Sequence, residues 1–267
     1  MVTVTVPVVV VDFDSVLERV RRLVKEVRES AARVVERALS VARLLPMPVG
    51  VRLVQLAGKL DDLVRRLVEL IERLSDPLGR PVRLWETGRR WVAEFGGPLS
   101  RHVGEIHPDH LAAGYEWDGR AAEAYEAAAD RQRGALATLH GAAGEIDLAL
   151  GRLALAICGM WAAVAAMLAS AAVQLTAAAL AAGTGAGVPA AVVLAVASMA
   201  TLCGGIATGA GTLSAVIEWV TDSVSALHQR LVDGEAFPGG RWPGPSTERF
   251  RDGSMSDGSP SDWRLAD

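Results

Sequence analysis

Five side chains between positions 102 and 110 form the one group in this chain with the residue types of a metal centre: His102, Glu105, His107, Asp109 and His110. Imidazole and carboxylate ligands of this kind hold zinc in four-coordinate sites. Their spacing follows no established ligand pattern, and Pro108 prevents a regular helical face from presenting them together. The stretch reads as a polar turn in which Pro108 opens the next helix, and no metal is expected. Gly183-Thr-Gly-Ala-Gly187 imitates a dinucleotide-binding loop. Such a loop follows a strand and carries a glycine at its sixth position, whereas an Ala-rich helix precedes this one and no such glycine follows. No phosphate loop, zinc-protease helix motif, nucleophile elbow or paired-cysteine site occurs. The carboxylates fall mostly on amphipathic helix faces, so the chain reads as non-enzymatic and without a cofactor.

What Gly183, Gly185 and Gly187 do join is a pair of apolar helices. From Leu153 to Ile217, 65 residues, there is no Asp, Glu, Lys, Arg or His, although 22% of the chain is charged. The halves Leu153 to Ala182 and Val188 to Ile217 each exceed the roughly 20 residues that cross a bilayer core. The first half holds Leu153, Leu155, Ile157, Val164, Leu168, Val173, Leu175 and Leu180. At about −0.3 to −0.6 kcal/mol for each aliphatic, insertion gains a few kcal/mol, partly offset by Ser170, Gln174 and Thr176. Membrane insertion is therefore marginal, and the hairpin is membrane-capable. Small residues recur at four-residue spacing, as Gly205 and Gly209, Ala207 and Gly211, and Ala162, Ala166 and Ser170, and mark faces where helix backbones approach closely. The same pattern also serves the centre of a soluble bundle. Cys158 and Cys203 lie at unequal distances from the turn, offset by more than about 10 Å in a symmetric hairpin, so they read as buried small hydrophobes and not as a disulfide.

Fifty-one per cent hydrophobic residues with few aromatics and long Ala-rich runs indicate an all-α protein. The net charge of −4 is small for 267 residues and makes no case for nucleic acid as a partner. Lys occurs only twice and Asn not at all, a bias expected of a GC-rich genome. Residues 1–13 lack the pattern of a signal peptide and read as an extended arm or short edge strand interrupted by Pro7. A helix is expected from Asp14 or Ser15, with Ser15 and Glu18 as a capping box, up to Leu45-Pro-Met-Pro48. The next, Gly50 to Leu74, carries Leu53, Leu60, Leu67 and Leu74 seven apart, a coiled-coil seam. Its wet face offers Asp61 to Arg65, Asp62 to Arg66 and Glu69 to Arg73 pairs. Residues 14–76 thus form an N-terminal coiled-coil hairpin.

A third helix is expected from Val82 to Phe95, interrupted by Gly96-Gly-Pro98, with a further segment broken near His107-Pro108. Next comes Tyr115-Glu-Trp-Asp-Gly-Arg-Ala-Ala-Glu-Ala-Tyr125. Gly119 can take a turn conformation closed to other residues, Trp117 can cover the helix ends it joins, and Ala121 and Ala122 let a partner helix approach. With Tyr125, these residues resemble the WXG superfamily, helical hairpins tied to type VII secretion in Gram-positive bacteria. The resemblance covers about residues 82–150. It implies two antiparallel helices joined at the Trp-x-Gly turn, and a WXG-family or effector protein as a candidate partner. The family's export signal, a Tyr with an acid four residues later, is not met: Gly119 follows Tyr115 and Ala129 follows Tyr125 at that distance, with Asp130 one residue late. A partner subunit would then carry the signal. Beyond Gly119 the helix either runs unbroken to Gly183, about 100 Å, or breaks near Gly141 to Gly144. Gly134 with Gly141 and Gly144 with Gly151, each pair seven apart, suggest a close-packed face.

The apolar hairpin, with its flanks, spans residues 151–232, and an amphipathic helix from Trp219 to Leu231 completes it. Residues 233–267, rich in Gly, Pro, Ser and Asp, are expected to be disordered when alone. The fold class is an all-α, elongated helical bundle of three hairpins. The expected function is non-enzymatic: a WXG-like protein that places its hairpin in a membrane, with pore formation as the extension. Its partners are further copies of itself and, through residues 153–217, membrane lipid. Its location is membrane-associated or secreted by the type VII route. The rival expectations are a structural subunit of a soluble homo-oligomeric assembly, and an adaptor that delivers an effector through its tail.

Overall fold

The computed structural model describes residues 13–75, 80–111, 117–244 and 264–265 and is all-α. The expected arm at residues 1–13 therefore lies, except for Phe13, outside the described residues. The chain divides into two compact units. The first takes the chain up to Leu84 together with Arg152–Glu218, and the second takes Trp85–Gly151 together with the chain from Trp219 onward. The segments legible in sequence thus combine in pairs, because a two-helix hairpin cannot cover its own apolar stripe.

In the first unit, α1 (Phe13–Ala42) and α2 (Met47–Ser75) form an antiparallel hairpin. On α1, Val20, Leu23, Val27, Ala31, Val34 and Ala38 are buried at three- and four-residue steps, and the residues between them, apart from buried Ser30 and half-buried Val24 and Val35, face water. On α2 the seam buries Leu53, Ala57, Leu60 and Leu67, while Leu74 is half-buried. α1 ends at Ala42, before the prolines, and α2 takes Pro48 into its first turn, where a missing N–H costs nothing. Gly50 is required there: a Cβ would lie 2.5 Å from the Ala42 carbonyl oxygen. Arg65 pairs with both Asp61 and Asp62, so the expected Asp62 to Arg66 pair gives way to the shorter step. These pairs are exposed and contribute little.

The apolar hairpin is the C-terminal part of α5 (Arg120–Ala182) and the N-terminal part of α6 (Val188–Asp233). Its turn is Gly183–Gly187, with Gly185 at φ +70°, a left-handed conformation that glycine adopts without strain. Register follows from two contacts. Ser198 Oγ lies 2.5 Å from Gln174 Oε1, and a Cβ at Gly205 would lie 2.6 Å from Met167 Sδ. Cys158 and Cys203 consequently sit about 11 residues out of register, roughly 16 Å at the helical rise, and both are free and buried.

Ser30 Oγ meets Thr176 Oγ1 at 3.4 Å, and Cys203 Sγ donates to the Leu63 carbonyl at 3.6 Å. Trp161 borders a small cavity with Phe13, Leu17, Val20 and Ile71. α1 therefore runs parallel to α5, and α2 parallel to α6. Counting from these contacts, the turn after Ala42 and the turn at Gly183–Gly187 lie at the same end of a four-helix unit. Its core is built from Trp161, Leu60, Leu67, Ile157, Leu168, Leu175, Met199 and Ile206, each fully buried.

In the second unit, α3 (Pro81–Arg90) passes through a π-helical turn, Trp91–Gly96, into α4 (Gly97–Glu105). The expected interruption at Gly96-Gly-Pro98 is absent. The Gly97 N–H donates to Val92 O, the wider π spacing, and Pro98 falls in the first turn of α4, where it forfeits no bond. The helical run then ends at Glu105, before the short 3-10 turn Pro108–His110. α5 is continuous from Arg120 to Ala182, so the break considered near Gly141 to Gly144 does not occur.

The run from Trp85 to Gly96 lies antiparallel to α5: a Cβ on Gly88 would be 3.1 Å from Asp147 Cα, and one on Gly96 3.1 Å from Ala143 Cβ. His140 Nδ1 donates to the Gly96 carbonyl at 2.9 Å, and Arg89 faces Asp147 at 3.6 Å. The glycines expected to make the close face are mostly others. Gly134, Gly141 and Gly144 have open space around a Cβ, and only Gly151 meets a neighbour, the Trp85 ring at 3.4 Å. Arg230 of α6 donates to Glu145 of α5, and that hydrogen bond raises the guanidinium above its ordinary value. Residues 234–244, expected to be disordered, are ordered against this unit. Phe237 is buried and packs near Trp242, and Gln132 Nε2 donates to Pro243 O at 3.0 Å. The rest of the expected disordered tail lies outside the described residues, apart from a two-residue antiparallel pairing of β1 (Trp117–Asp118) with β2 (Arg264–Leu265).

Candidate functional site

The outer side of the apolar hairpin is exposed along its whole length. α5 presents Leu155, Gly159, Ala162, Ala163, Ala166, Ser170, Val173, Ala177 and Leu180, with Val173 71% and Leu180 74% exposed. α6 presents Val193, Leu194, Ala197, Ala200, Gly204, Ala207, Gly211 and Ile217. A helix on the outside of a soluble bundle carries charge on its wet face, as α1 and α2 do. Here the wet face has none. Three of its hydroxyls are already satisfied within the hairpin: Thr208 donates to Gly204 O at 3.0 Å, Thr212 to Thr208 O at 3.2 Å and Ser214 to Ala210 O at 3.1 Å. Gln174 Nε2 donates to Ser170 Oγ at 3.3 Å. A face whose backbone and hydroxyl donors are satisfied internally can leave water without stranding a polar group.

The expected packing residues divide. Gly205 is used inside the hairpin, against Met167. Ala207 and Gly211 lie on the exposed face, and a Cβ on Gly211 would meet nothing within 4 Å. Gly209 is half-buried, also with open space. At the turn, Gly183 and Gly185 are exposed, and a Cβ on Gly187 would lie 2.6 Å from Ala181 O.

The Trp-x-Gly residues stand between the antiparallel α3–α4 run and α5. Gly119 has φ +98°, a conformation that disfavours any residue with a Cβ. Ala122 is buried and Tyr125 is partly exposed. The side chains of Trp117 and Ala121 lie outside what the structure describes. Of the histidine group, His102 Nδ1 pairs with Glu105 at 2.6 Å, His107 with Asp109 at 3.4 Å, and His110 Nδ1 donates to Gly104 O at 3.0 Å. Each carboxylate is taken by a neighbouring histidine, and no metal-competent group of three occurs among the described residues.

Sequence reasoning missed one surface. The α1–α2 turn exposes Leu44 and Met47, each 84% accessible, with Val49, Val51 and Val54 also exposed, and Leu39, Met47, Val51 and Val54 line an open groove of about 650 Å³. The signal was present in Leu44-Leu-Pro-Met-Pro-Val49, a run with no polar residue from the α1–α2 turn into the start of α2, where turns ordinarily carry Asn, Asp, Ser or Gly. α5 and α6 are each long and apolar enough to cross a membrane, and about half of the most apolar window in each is buried in the fold. Compared with known protein families, with curated proteins and with solved structures, the chain matches none.

Proposed function

We propose that this is a non-enzymatic, membrane-active helical protein that places residues 153–217 in a bilayer. Copies then associate there, with a pore as the outcome. The observation that carries the reading is the exposed outer face of the hairpin, which holds no Asp, Glu, Lys, Arg or His over 65 residues. Contiguous apolar surface of this extent marks an interaction site, and its depth of two helical spans suits a hydrocarbon core. α1 and α2 act as the clamp that covers the inner face, so insertion exchanges their contacts for lipid. The WXG-like reading belongs to the second unit, where a positive-φ Gly119 joins two antiparallel helical runs. On that reading, a type VII partner brings the protein out of the cell.

Flotation of the full-length protein with liposomes tests this, beside a variant lacking residues 153–217. The reading expects flotation that disappears with the deletion. A second reading, a soluble homo-oligomer, draws on the open space at Gly159, Gly204 and Gly211, which would admit a helix from another copy. It expects a particle of fixed mass in light scattering without detergent and no flotation.

A further inference from the structure

We infer that the turn end of the four-helix unit is a docking surface for an anionic bilayer, the end by which the hairpin first meets its membrane. This rests on the membrane reading above and names the lipid chemistry it needs. The two turns lie at that end together. One presents Leu44, Met47, Val49 and Val51 to solvent, and the other presents Leu180 and the uncharged Gly183–Gly187. The charges nearest them, Arg43 and Arg52, have a single sign. From Arg37 to Leu60 the chain holds Arg37, Arg43, Arg52 and Lys59 and no acid, and the facing hairpin holds no charge at all. Arg43, Arg52 and Lys59 are exposed. This contrasts with a chain of net charge −4 and with the mixed-charge body of α1 and α2.

Apolar side chains at a tip, collared by arginine and lysine, match the two layers of an anionic leaflet: the tip enters the interface while the cations meet the headgroups. The pattern selects against the alternatives. A second copy at this end would oppose one cationic collar to another. A nucleic acid would use the cations and leave the exposed Leu44 and Met47 without a partner, with no aromatic ring at the tip on which bases could stack.

The test uses full-length protein and vesicles of phosphatidylcholine, alone or with phosphatidylglycerol. Each basic residue at an anionic surface contributes about fivefold to partitioning, so Arg43→Gln with Arg52→Gln should lower binding to the anionic vesicles about 25-fold. Binding to neutral vesicles should stay unchanged, and circular dichroism should match the parent because both side chains are exposed. Met47→Ser should weaken binding to both. Raising salt to about 1 M, where the screening length is about 3 Å, should erase the preference for anionic lipid. Equal partitioning onto both lipids overturns the proposal while leaving the hairpin reading intact. So does an Arg43→Gln/Arg52→Gln protein that binds anionic vesicles like its parent, or an oligonucleotide that displaces the vesicles. If salt strips all protein from anionic vesicles and no inserted fraction remains, the hairpin reading fails while the docking surface stands.

Discussion

Replacing Gly88 with alanine, and Gly141 with alanine in a separate protein, makes the same chemical change on two helices with opposite expected outcomes. Each substitution gains about 1 kcal/mol of helix propensity. At Gly141 nothing lies within 4 Å of the added methyl, so the gain should appear in full as stabilisation. At Gly88 the methyl would lie 2.8 Å from Asp147 Oδ1, 3.1 Å from Asp147 Cα and 3.3 Å from Asp147 O. The carboxylate can rotate away, but the two backbone atoms belong to α5 and cannot. The helices must separate by a few tenths of an ångström, an overpacking cost of about 1–3 kcal/mol, and the Arg89 to Asp147 contact loosens with them. Gly88→Ala should therefore be destabilising by up to about 2 kcal/mol net, and the two variants should differ by about 1–3 kcal/mol. Thermal unfolding followed by circular dichroism should separate their midpoints by several degrees, at about 2–4 °C per kcal/mol for a chain of this size. A Gly88→Ala protein at least as stable as Gly141→Ala would refute the close approach of the Trp85–Gly96 run to α5.

Other expectations follow from the same geometry. Trp161→Ala, in the buried core of the first unit, should cost about 3–5 kcal/mol in denaturant unfolding. Ala166→Lys, on the exposed face, should leave the soluble fold unchanged. A lysine at a helix centre costs about 2.5–3.5 kcal/mol in a bilayer, so membrane-inserted protein should fall about 100-fold in flotation. Phe237→Ala should release residues 234–244 and speed their amide exchange, with little effect on the first unit. Thiol titration after denaturation should find two free cysteines, and mild oxidation should form no intramolecular bridge, because Cys158 and Cys203 are far out of register.

Much of the fold was legible because local rules decide it. The 3.6-residue periodicity of Val20 to Ala38, the Leu53, Leu60 and Leu67 seam, and the glycines of the 183–187 turn each specify an element without help from elsewhere. The pairing of hairpins was not legible, since an apolar stripe states that it needs cover and not which segment provides it. Gly96-Gly-Pro98 reads as a break by propensity, yet a π turn absorbs it by shifting one hydrogen bond to Val92 O. Glycine spacing misled in the same way: Gly134 and Gly141 share a face with nothing against it, while Gly88, lying in an ordinary polar stretch, is where α5 comes close, with a Cβ 3.1 Å from Asp147 Cα. The tail's order was not legible because the contact that ties it down, Gln132 to the Pro243 carbonyl, joins residues 111 apart. For the candidate surface, the absence of charge over 153–217 was plain in sequence. That this face stays uncovered by α1 and α2 required the fold.

The most direct test of the membrane reading puts a reporter on that face. With Cys158→Ser and Cys203→Ser as background, Ala166→Cys is labelled with an environment-sensitive fluorophore and mixed with liposomes. The account expects the emission to brighten and shift to the blue, and nitroxides on the lipid chains to quench it. An unchanged spectrum, from a protein that keeps one defined mass in solution, would contradict insertion and leave the uncharged face as a contact between copies.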